Sequence, residues 1–354
     1  MNINKNGPMR IGILTAGGDC PGLNAAIRGI GKVAICKYGM ELIGFHGGFQ
    51  GILENNYRSL TEENLSGILT LGGTILGTSR LKPYKKDQNS PLPSNKPELI
   101  IQNYHDLGLS CLVCIGGNGT VKTAAILQRD GLNIVAIPKT IDNDVYGTDL
   151  SFGFDSAVTI ATEAIDRLHS TANSHRRIMV IELMGHHTGW IALYAGLASG
   201  GDVILIPEIP FDIKIVSRYL EKRAEEGKPY SIVVIAEGIE FPGNKPKEPK
   251  ISAGEWVSRE ITSITGIETR CTVLGYVQRG GSPTPGDRIL ATRFGAHAAK
   301  CIAQKKFGVM VSYRQNKSDE IKLSETEGRI KTIPKDYPLL EKARGIGVCF
   351  GDRF

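Results

Sequence analysis

Long apolar runs are missing from this chain: no stretch reaches the ~18 consecutive apolar residues that a membrane span requires. Aromatic residues are sparse, at 6% with two Trp, and no run of five or more Lys/Arg occurs. The net charge of +6 therefore lacks the form of a nucleic-acid surface, and a solvated exterior plus a pocket for anionic ligands explains it more simply. Seven cysteines cannot all pair, and a chain of 354 residues needs no covalent staples, so they read as free thiols in a reducing compartment. The N-terminal MNINKNGPMR has no apolar core of the kind a secretory signal carries. These absences predict a cytoplasmic protein with neither a membrane nor a nucleic-acid partner. Cys111 and Cys114 form one C-x-x-C, but they lie in the apolar run CLVCI (111–115). On a strand, positions three apart point to opposite faces, so the pair reads as core and not as a chelate.

What is present is a rhythm: a short apolar run, a glycine-rich turn, then a helical pattern. RIGILT (10–15) precedes AGGDCP (16–21) and a helix to about Tyr38; CLVCI precedes GGNGT (116–120) and a helix to about Arg129. NIVAI (133–137) is a further strand, and it ends in PKTIDND (138–144). Helices over 156–174, 190–198, 215–226, 255–265 and 287–304 alternate with strands over 177–183, 203–206, 231–236, 269–274 and 309–313. Strands alternating with helices of this length predict an α/β fold with parallel sheets covered on both faces, and the strand count predicts two sheets instead of one wide one. The polar, Pro-containing segments 82–96 and 241–250 read as surface excursions.

In open parallel sheets ligands bind beside the carboxyl ends of the strands, and the glycine-rich and acidic turns fall at those ends. Glycine lets backbone approach a phosphate, and the N–H groups of the following helix stabilise its charge. Neither Gly17-Gly18 nor residues 116–119 fit G-x-G-x-x-G or G-x-x-x-x-G-K-[ST], so dinucleotide-binding and Walker-type readings fail on spacing. Each turn alone is equally well a tight strand–helix connection; two at equivalent places argue for a ligand. Asp142 and Asp144, two residues apart after a strand, can both face a cleft if the segment is extended, although an Asx-turn is the competing reading. Phosphoryl transfer to an alcohol needs such carboxylates, as a base on the hydroxyl and as magnesium ligands. Arg177, Arg270 and Arg279 supply the complementary guanidinium forks. His186 and His187 adjoin Gly185 and Gly189; adjacent histidines cannot share one face of a regular element, so one of them faces a ligand or both are loop residues.

Taken together, these residues make the chain resemble the 6-phosphofructokinase family from about Arg10 to Gly295. The blocks carrying the resemblance are GGDCPGLNAAIR (17–28), GGTILGTSR (72–80), GGNGT (116–120), PKTIDND (138–144), GFDSA (153–157), ATEAIDRLHSTANSHRR (161–177), MGHHTGW (184–190), AEG (236–238) and ETRCTVLGYVQRGGSPTPGDR (268–288). GGNGT alone is shared with NAD and lipid kinases, which lack TIDND and QRGGSP. The resemblance implies two Rossmann-like doubly wound domains with the active site in the cleft between them. A donor-binding domain would comprise residues 1–153 plus about 278–328, and a fructose 6-phosphate domain 154–277 plus 329–354. The implied reaction moves the γ-phosphoryl group of ATP, with Mg²⁺, to the 1-hydroxyl of fructose 6-phosphate. Asp142 would be the base, with Thr140 and Asp144 near the transferring phosphate. Gly18, Arg80, Leu81, Gly117, Asn118, Gly119, Thr120 and Lys139 would line the nucleotide site. Thr140, Asp142, Met184, Gly185, His186, Glu237, Tyr276, Val277, Gln278 and Arg279 would hold the sugar phosphate. Arg177 and Arg270 would reach in from a neighbouring subunit of a homodimer or homotetramer.

Four positions depart from the family pattern. Asn118 replaces the usual magnesium-binding Asp, leaving the metal to Asp144 and the phosphates. His186 replaces an Arg that steadies the transition state, and Tyr276 replaces a frequent His. Lys139 stands where many bacterial ATP enzymes have Gly and pyrophosphate-using ones have Lys. Pyrophosphate users carry an Asp at the position of Gly119, which would repel the α-phosphate of a nucleotide; Gly119 leaves that space open, so ATP is the implied donor. The alternatives are a pyrophosphate-dependent phosphofructokinase and a degenerate sugar-phosphate-binding regulatory paralogue. Arg28 and Lys32 match a family effector site, whereas His169 and Glu226 replace two of its arginines, which implies weak or absent effector control.

Overall fold

The computed structural model describes residues 7–85, 95–241 and 251–353. The N-terminal segment 1–6 and most of the two surface excursions lie outside the described residues. In chain order the elements are β1 (Arg10–Ala16), α1 (Leu23–Tyr38), β2 (Glu41–Phe45), α2 (Phe49–Leu53), β3 (Tyr57–Ser59), α3 (Lys96–Asp106), β4 (Leu109–Gly116), α4 (Asn118–Arg129), β5 (Ile134–Pro138), α5 (Phe154–His175) and β6 (Ile178–Leu183). There follow α6 (Trp190–Ala198), β7 (Val203–Leu205), α7 (Ile213–Glu225), β8 (Ser231–Ala236), α8 (Ala253–Thr265), β9 (Thr269–Val273), α9 (Pro285–Ala303), β10 (Val309–Arg314), β11 (Lys317–Lys322), α10 (Leu323–Thr326) and α11 (Pro338–Gly345). Every helix and strand read from the apolar rhythm is present. No helix among the described residues is long and apolar enough to cross a membrane.

Two compact units divide the chain. The first holds Met1–Thr140, Val145–Gly153 and Arg279–Ile330; the second holds Ile141–Asp144, Phe154–Gln278 and Lys331–Phe354. The sheet of the first unit has the order β11-β10-β5-β4-β1-β2-β3. Its five inner strands are parallel, and only the edge pairs β2·β3 and β10·β11 are antiparallel. The sheet is thus largely parallel, as expected, with antiparallel additions at both edges. Strand β11 follows β10 through the two residues Gln315 and Asn316, both at positive φ, and so short a link can only reverse the chain. Strand β3 is three residues long and β11, KSDEIK, is mostly charged, two devices that blunt exposed sheet edges. Neither carries the apolar signal that marks an inner strand.

The inner strands are buried on both faces; Ile11, Ile13, Leu14, Cys111, Leu112, Val113, Cys114 and Ile115 are all at 0% exposure. Cys111 and Cys114 are therefore core, and burial raises both thiols far above their usual range. Helix α1 ends at Gly39, whose φ of 60° and N–H bonds to Ala34 O and Ile35 O close the last turn. Helix α9 starts with Thr284 accepting from Asp287 N and with Pro285 in its first turn. The sheet of the second unit is wholly parallel, in the order β7-β8-β6-β9. A capping box of Ser252 and Glu255 starts α8.

Helices α1 and α9 meet backbone to backbone. A Cβ on Gly295 would lie 2.5 Å from Ala26 O and 2.6 Å from Ile30 N, and one on Gly29 would lie 2.8 Å from Thr292 O. Helix propensity favours Ala over Gly by ~1 kcal/mol, but overpacking against backbone costs about 1–3 kcal/mol and has no flexible side chain to absorb it. Gly295→Val, which adds volume without the propensity gain, should destabilise the protein by roughly 3 kcal/mol. The check is the chemical-denaturation midpoint; an unchanged midpoint would contradict the close approach.

Candidate functional site

The first unit gathers its glycine turns on one row of the sheet. In register, Ala16 pairs with Gly116 and Gly116 with Pro138, so β1, β4 and β5 end side by side. Strand β2 lies on one side of β1 and β4 on the other, which makes β1/β4 the topological switch point where open α/β sheets bind ligands. Gly17 leaves β1 with φ 85°. Its N–H donates to Ser79 O at 2.9 Å and its carbonyl accepts from Thr78 Oγ1 at 2.7 Å, which fixes the chain entering Arg80 and Leu81 beside the turn.

Gly18 is crowded by two cations. The Lys139 ammonium donates to its carbonyl, and a Cβ at Gly18 would lie 2.9 Å from Arg279 Nη1. Arg279 is held there because Gly281 packs its carbonyl against the Cα of Gly72, while Asn24 ties the same loop through Leu71 O, Gly72 O and Ile75 N. Helix α4 begins without a side-chain cap and without an acidic residue in its first turn. Such an N-terminus offers N–H groups and the positive end of the helix dipole to an anion. Thr120 turns its hydroxyl back to Ala16 O at 3.3 Å, filling the space that Gly116 leaves. A Cβ at Gly119 would meet nothing within 4 Å, so this position faces open space. Gly18, Gly117, Thr120, Lys139 and Arg279, five of the residues singled out from the sequence, thus belong to one cradle. Cys20 beside them is buried and its thiol is pushed up by burial, so it is not a nucleophile.

The second unit holds the acidic tetrapeptide Ile141–Asp144. Asn143 adopts a left-handed φ of 51°. Three tethers keep it there. Thr188 Oγ1 donates to Asp142 O at 3.2 Å, Lys331 N to Asp144 O at 2.8 Å, and Lys331 Nζ to Asn143 Oδ1 at 2.9 Å. Lys331 is itself fixed by Trp190, whose indole N–H donates to Lys331 O at 2.9 Å while the ammonium lies 5.4 Å from the ring centroid. Glu208 accepts from Gly189 N at 3.1 and 3.0 Å and from Ile333 N at 3.1 Å, locking the same loop.

Strands β6, β8 and β9 also end on one row, with Leu183 opposite Ala236 and Glu182 opposite Val273. Met184, Gly185, His186 and Glu237 follow directly. Glu237 Oε1 accepts from His186 N at 3.0 Å and holds His186 at φ 53°; Gly238 is required because a Cβ there would overlap His186 O. His186 and His187 are both exposed, with ring centroids 3.8 Å apart. They border a depression of about 560 Å³ together with Glu182, Glu237 and Phe241. Glu182 and Phe241 were not legible as site residues, since one sits inside an apolar strand and the other at a loop margin. Tyr276 and Val277 are 70% and 63% exposed. Gln278 is fully buried and donates to Gly275 O at 3.2 Å, so it shapes its turn.

Arg177 and Arg270 meet each other but not this row. Both pair with Glu268, at 3.5 and 2.8 Å, where β6 and β9 begin. The six residues of β6 separate them from Met184 by about 20 Å. At the positions matched to an effector site, His169 is engaged by Tyr230 and Ser199 O, and Lys32 pairs with Glu62 at 3.0 Å.

Lys331→Met removes the ammonium that bridges Asn143 and Trp190 and keeps the stem. The phosphoryl transfer implied by the sequence should fall roughly 10- to 100-fold in kcat with KM nearly unchanged, because the acidic segment loses its orientation and not its ligands. Lys331→Arg should recover part of the loss. Equal kcat in wild type and Lys331→Met would remove Lys331 from this role.

Comparison with known proteins agrees with this geometry. A family model described as Phosphofructokinase matches residues 10–302. The chain is 58% identical over 343 residues to "ATP-dependent 6-phosphofructokinase 3" of Bacteroides thetaiotaomicron, covering 97% of this chain and 100% of that protein. It is 46% identical over 340 residues to "Pyrophosphate--fructose 6-phosphate 1-phosphotransferase" of Amycolatopsis methanolica, covering 93% and 97% respectively. The solved phosphofructokinase of Saccharomyces cerevisiae superposes with a TM-score of 0.80 at 29% identity, over 90% of this chain and 45% of the yeast chain, so this chain spans less than half of that larger one. With the cradle at the β1/β4 switch point, the tethered Asp142–Asp144 segment and matches over nearly the whole length, the chain belongs to the phosphofructokinase family.

Proposed function

We propose that this protein transfers the γ-phosphoryl group of ATP to the 1-hydroxyl of D-fructose 6-phosphate, giving fructose 1,6-bisphosphate, as a cytoplasmic glycolytic enzyme. The observation carrying this reading is the row at β1, β4 and β5: it brings two glycine turns, Lys139 and Arg279 together, and its last strand runs straight into Thr140 and Asp142. Gly18 and residues 117–120 take the donor's phosphates, with Arg80 and Leu81 lining the rest of the nucleotide. Lys139 and Arg279 neutralise their charge. Asp142 accepts the proton of the attacking hydroxyl, and Thr140 and Asp144 face the transferred group. Met184, Gly185, His186 and Glu237 hold the sugar phosphate, together with the turn 276–279. The seven unpaired thiols accord with a reducing compartment.

Magnesium prefers hard oxygen donors, and this chain offers a buried carboxylate at Asp144 and the neutral amide oxygen of Asn118. When bound, the ion would neutralise developing charge on the transferring phosphate. Arg177 and Arg270 support self-association. Placed at the opposite end of their own sheet from Met184, where β6 and β9 begin, they serve a sugar-phosphate site only if they reach that of a neighbouring copy, in a homodimer or homotetramer.

Pyrophosphate is the competing donor, favoured by Lys139 in the cradle and by the 46% identical relative from Amycolatopsis methanolica. The open space at Gly119 favours ATP, because that is where a nucleotide's α-phosphate needs room.

Two substitutions test the assignment in a coupled assay of fructose 1,6-bisphosphate formation. Asp142→Asn should lower kcat by roughly 10²- to 10⁴-fold, the contribution of a positioned base, with little change in KM for the sugar. Retained turnover would end Asp142's role. Gly119→Asp fits its surroundings without a clash and should cripple ATP use; ATP activity equal to wild type would refute the open-pocket argument, and wild-type turnover with pyrophosphate alone would reverse the donor.

A further inference from the structure

Outside the candidate site, one set of metal-ligating side chains converges among the described residues. His297 and Cys301 are four residues apart and so share one face of α9; Glu320 faces them from the edge strand β11. One ligand atom from each residue lies within 4.8 Å of the other two. Glu320 is bound from two sides: His297 Nε2 is 2.7 Å from its Oε2, and Lys306 Nζ is 2.7 Å from its Oε1. Cys301 is buried, whereas the side chains of His297 and Glu320 are 14% and 24% exposed, which leaves an entry from the solvent side.

A salt bridge by itself explains Glu320 with His297 and Lys306, but it gives no reason for a thiol turned toward the same point. Tetrahedral zinc takes sulfur at about 2.3 Å and nitrogen or oxygen at about 2.0–2.2 Å. Its ligand atoms then lie about 3.3–3.8 Å apart, so the three groups need to shift by only about an ångström. Lys306 holds Oε1 and acts as the outer partner that a ligating carboxylate usually has, while Oε2, which meets His297 Nε2 at 2.7 Å, is the oxygen that would turn to the ion together with that nitrogen.

We propose that His297, Cys301 and Glu320 bind one borderline divalent transition ion, zinc, with water as the fourth ligand, and that the ion clamps α9 to the β10·β11 hairpin. The Cys301 thiol is pushed up to about 11 by burial and by the nearby Glu320, so without an ion it stays protonated and unreactive. On binding, the thiol proton is displaced to solvent as a thiolate–metal bond replaces the S–H bond, and the proton that His297 Nε2 shares with Glu320 Oε2 passes to Nδ1 or to solvent, freeing both atoms for the ion. The clamp acts on α9, the helix that packs on α1.

The test uses tag-free full-length protein, stripped with a chelator and titrated with cobalt(II) as the spectroscopic stand-in for zinc. Tetrahedral visible bands and a thiolate-to-cobalt charge-transfer band should appear with one equivalent and vanish on adding zinc, and zinc should raise the melting temperature. Cys301→Ser should abolish the charge-transfer band. His297→Gln and Glu320→Gln should each weaken binding or change the visible bands, while Lys306→Met keeps the bands and weakens binding roughly tenfold. Melting curves report whether each variant folds, and the nearly isosteric Glu320→Gln keeps the test open if Cys301→Ser does not. No saturable band in wild type, a band that survives Cys301→Ser, or bands indifferent to both His297→Gln and Glu320→Gln would each overturn the site.

Discussion

The alignment of three strand ends on one row of the first sheet is the constraint on which the rest of the structure depends. Because β1, β4 and β5 are parallel and in register at Ala16, Gly116 and Pro138, the chain must turn three times in the same narrow strip. Backbone there has to approach backbone, and glycine is the residue that permits it. Gly116 yields its side-chain volume to Thr120, and Gly18 yields its own to the Arg279 guanidinium. The Lys139 ammonium is held in the strip by the carbonyl of Gly18, while the uncapped N-terminus of α4 adds positive charge of its own. The cradle of glycine turns and cations is thus a consequence of sheet geometry before it is a matter of particular chemistry.

The second unit repeats the device with a different payload. Its row of strand ends presents a carboxylate and two histidines, and Glu237 uses a side-chain oxygen to hold the backbone of His186 in a left-handed turn. The acidic tetrapeptide is pinned by groups remote in sequence: Thr188, and Lys331 under Trp190. Holding a strained segment by several directed bonds is how a fold fixes a reacting group in advance of its substrate. Lys331 sits beyond the last family block quoted from the sequence, yet it touches the segment that carries Asp142. That is a common way for distant parts of a chain to become indispensable to one site.

Family membership and the donor question rest on different kinds of argument. Membership follows from matches along nearly the whole chain. The proposed donor choice turns on two positions in one cradle: Lys139, whose ammonium donates to Gly18 O, and Gly119, which faces open space. A cation satisfied by a backbone carbonyl adds charge without narrowing the pocket. At Gly119 the absent side chain leaves open space, which the proposed donor choice assigns to a nucleotide.

The inner strands, the long helices and the glycine and acidic turns were legible in the sequence, because buried parallel strands must be continuously apolar and turns at their ends must be small or polar. The block order carried the family in the same way. What only the tertiary structure decided were contacts between residues far apart along the chain. They include Arg279 over Gly18, Lys331 on Asn143, the burial of Gln278, and the pairing of Arg177 with Arg270 on Glu268 at the wrong end of their sheet for the neighbouring loops. The charged edge strand β11 and the short β3 belong there too, since their pairing comes from a neighbour's hydrogen bonds and not from any apolar pattern of their own. Local sequence sets what each segment can be; which side chains share a point in space is set by how the sheets twist and close-pack, and no periodicity records it.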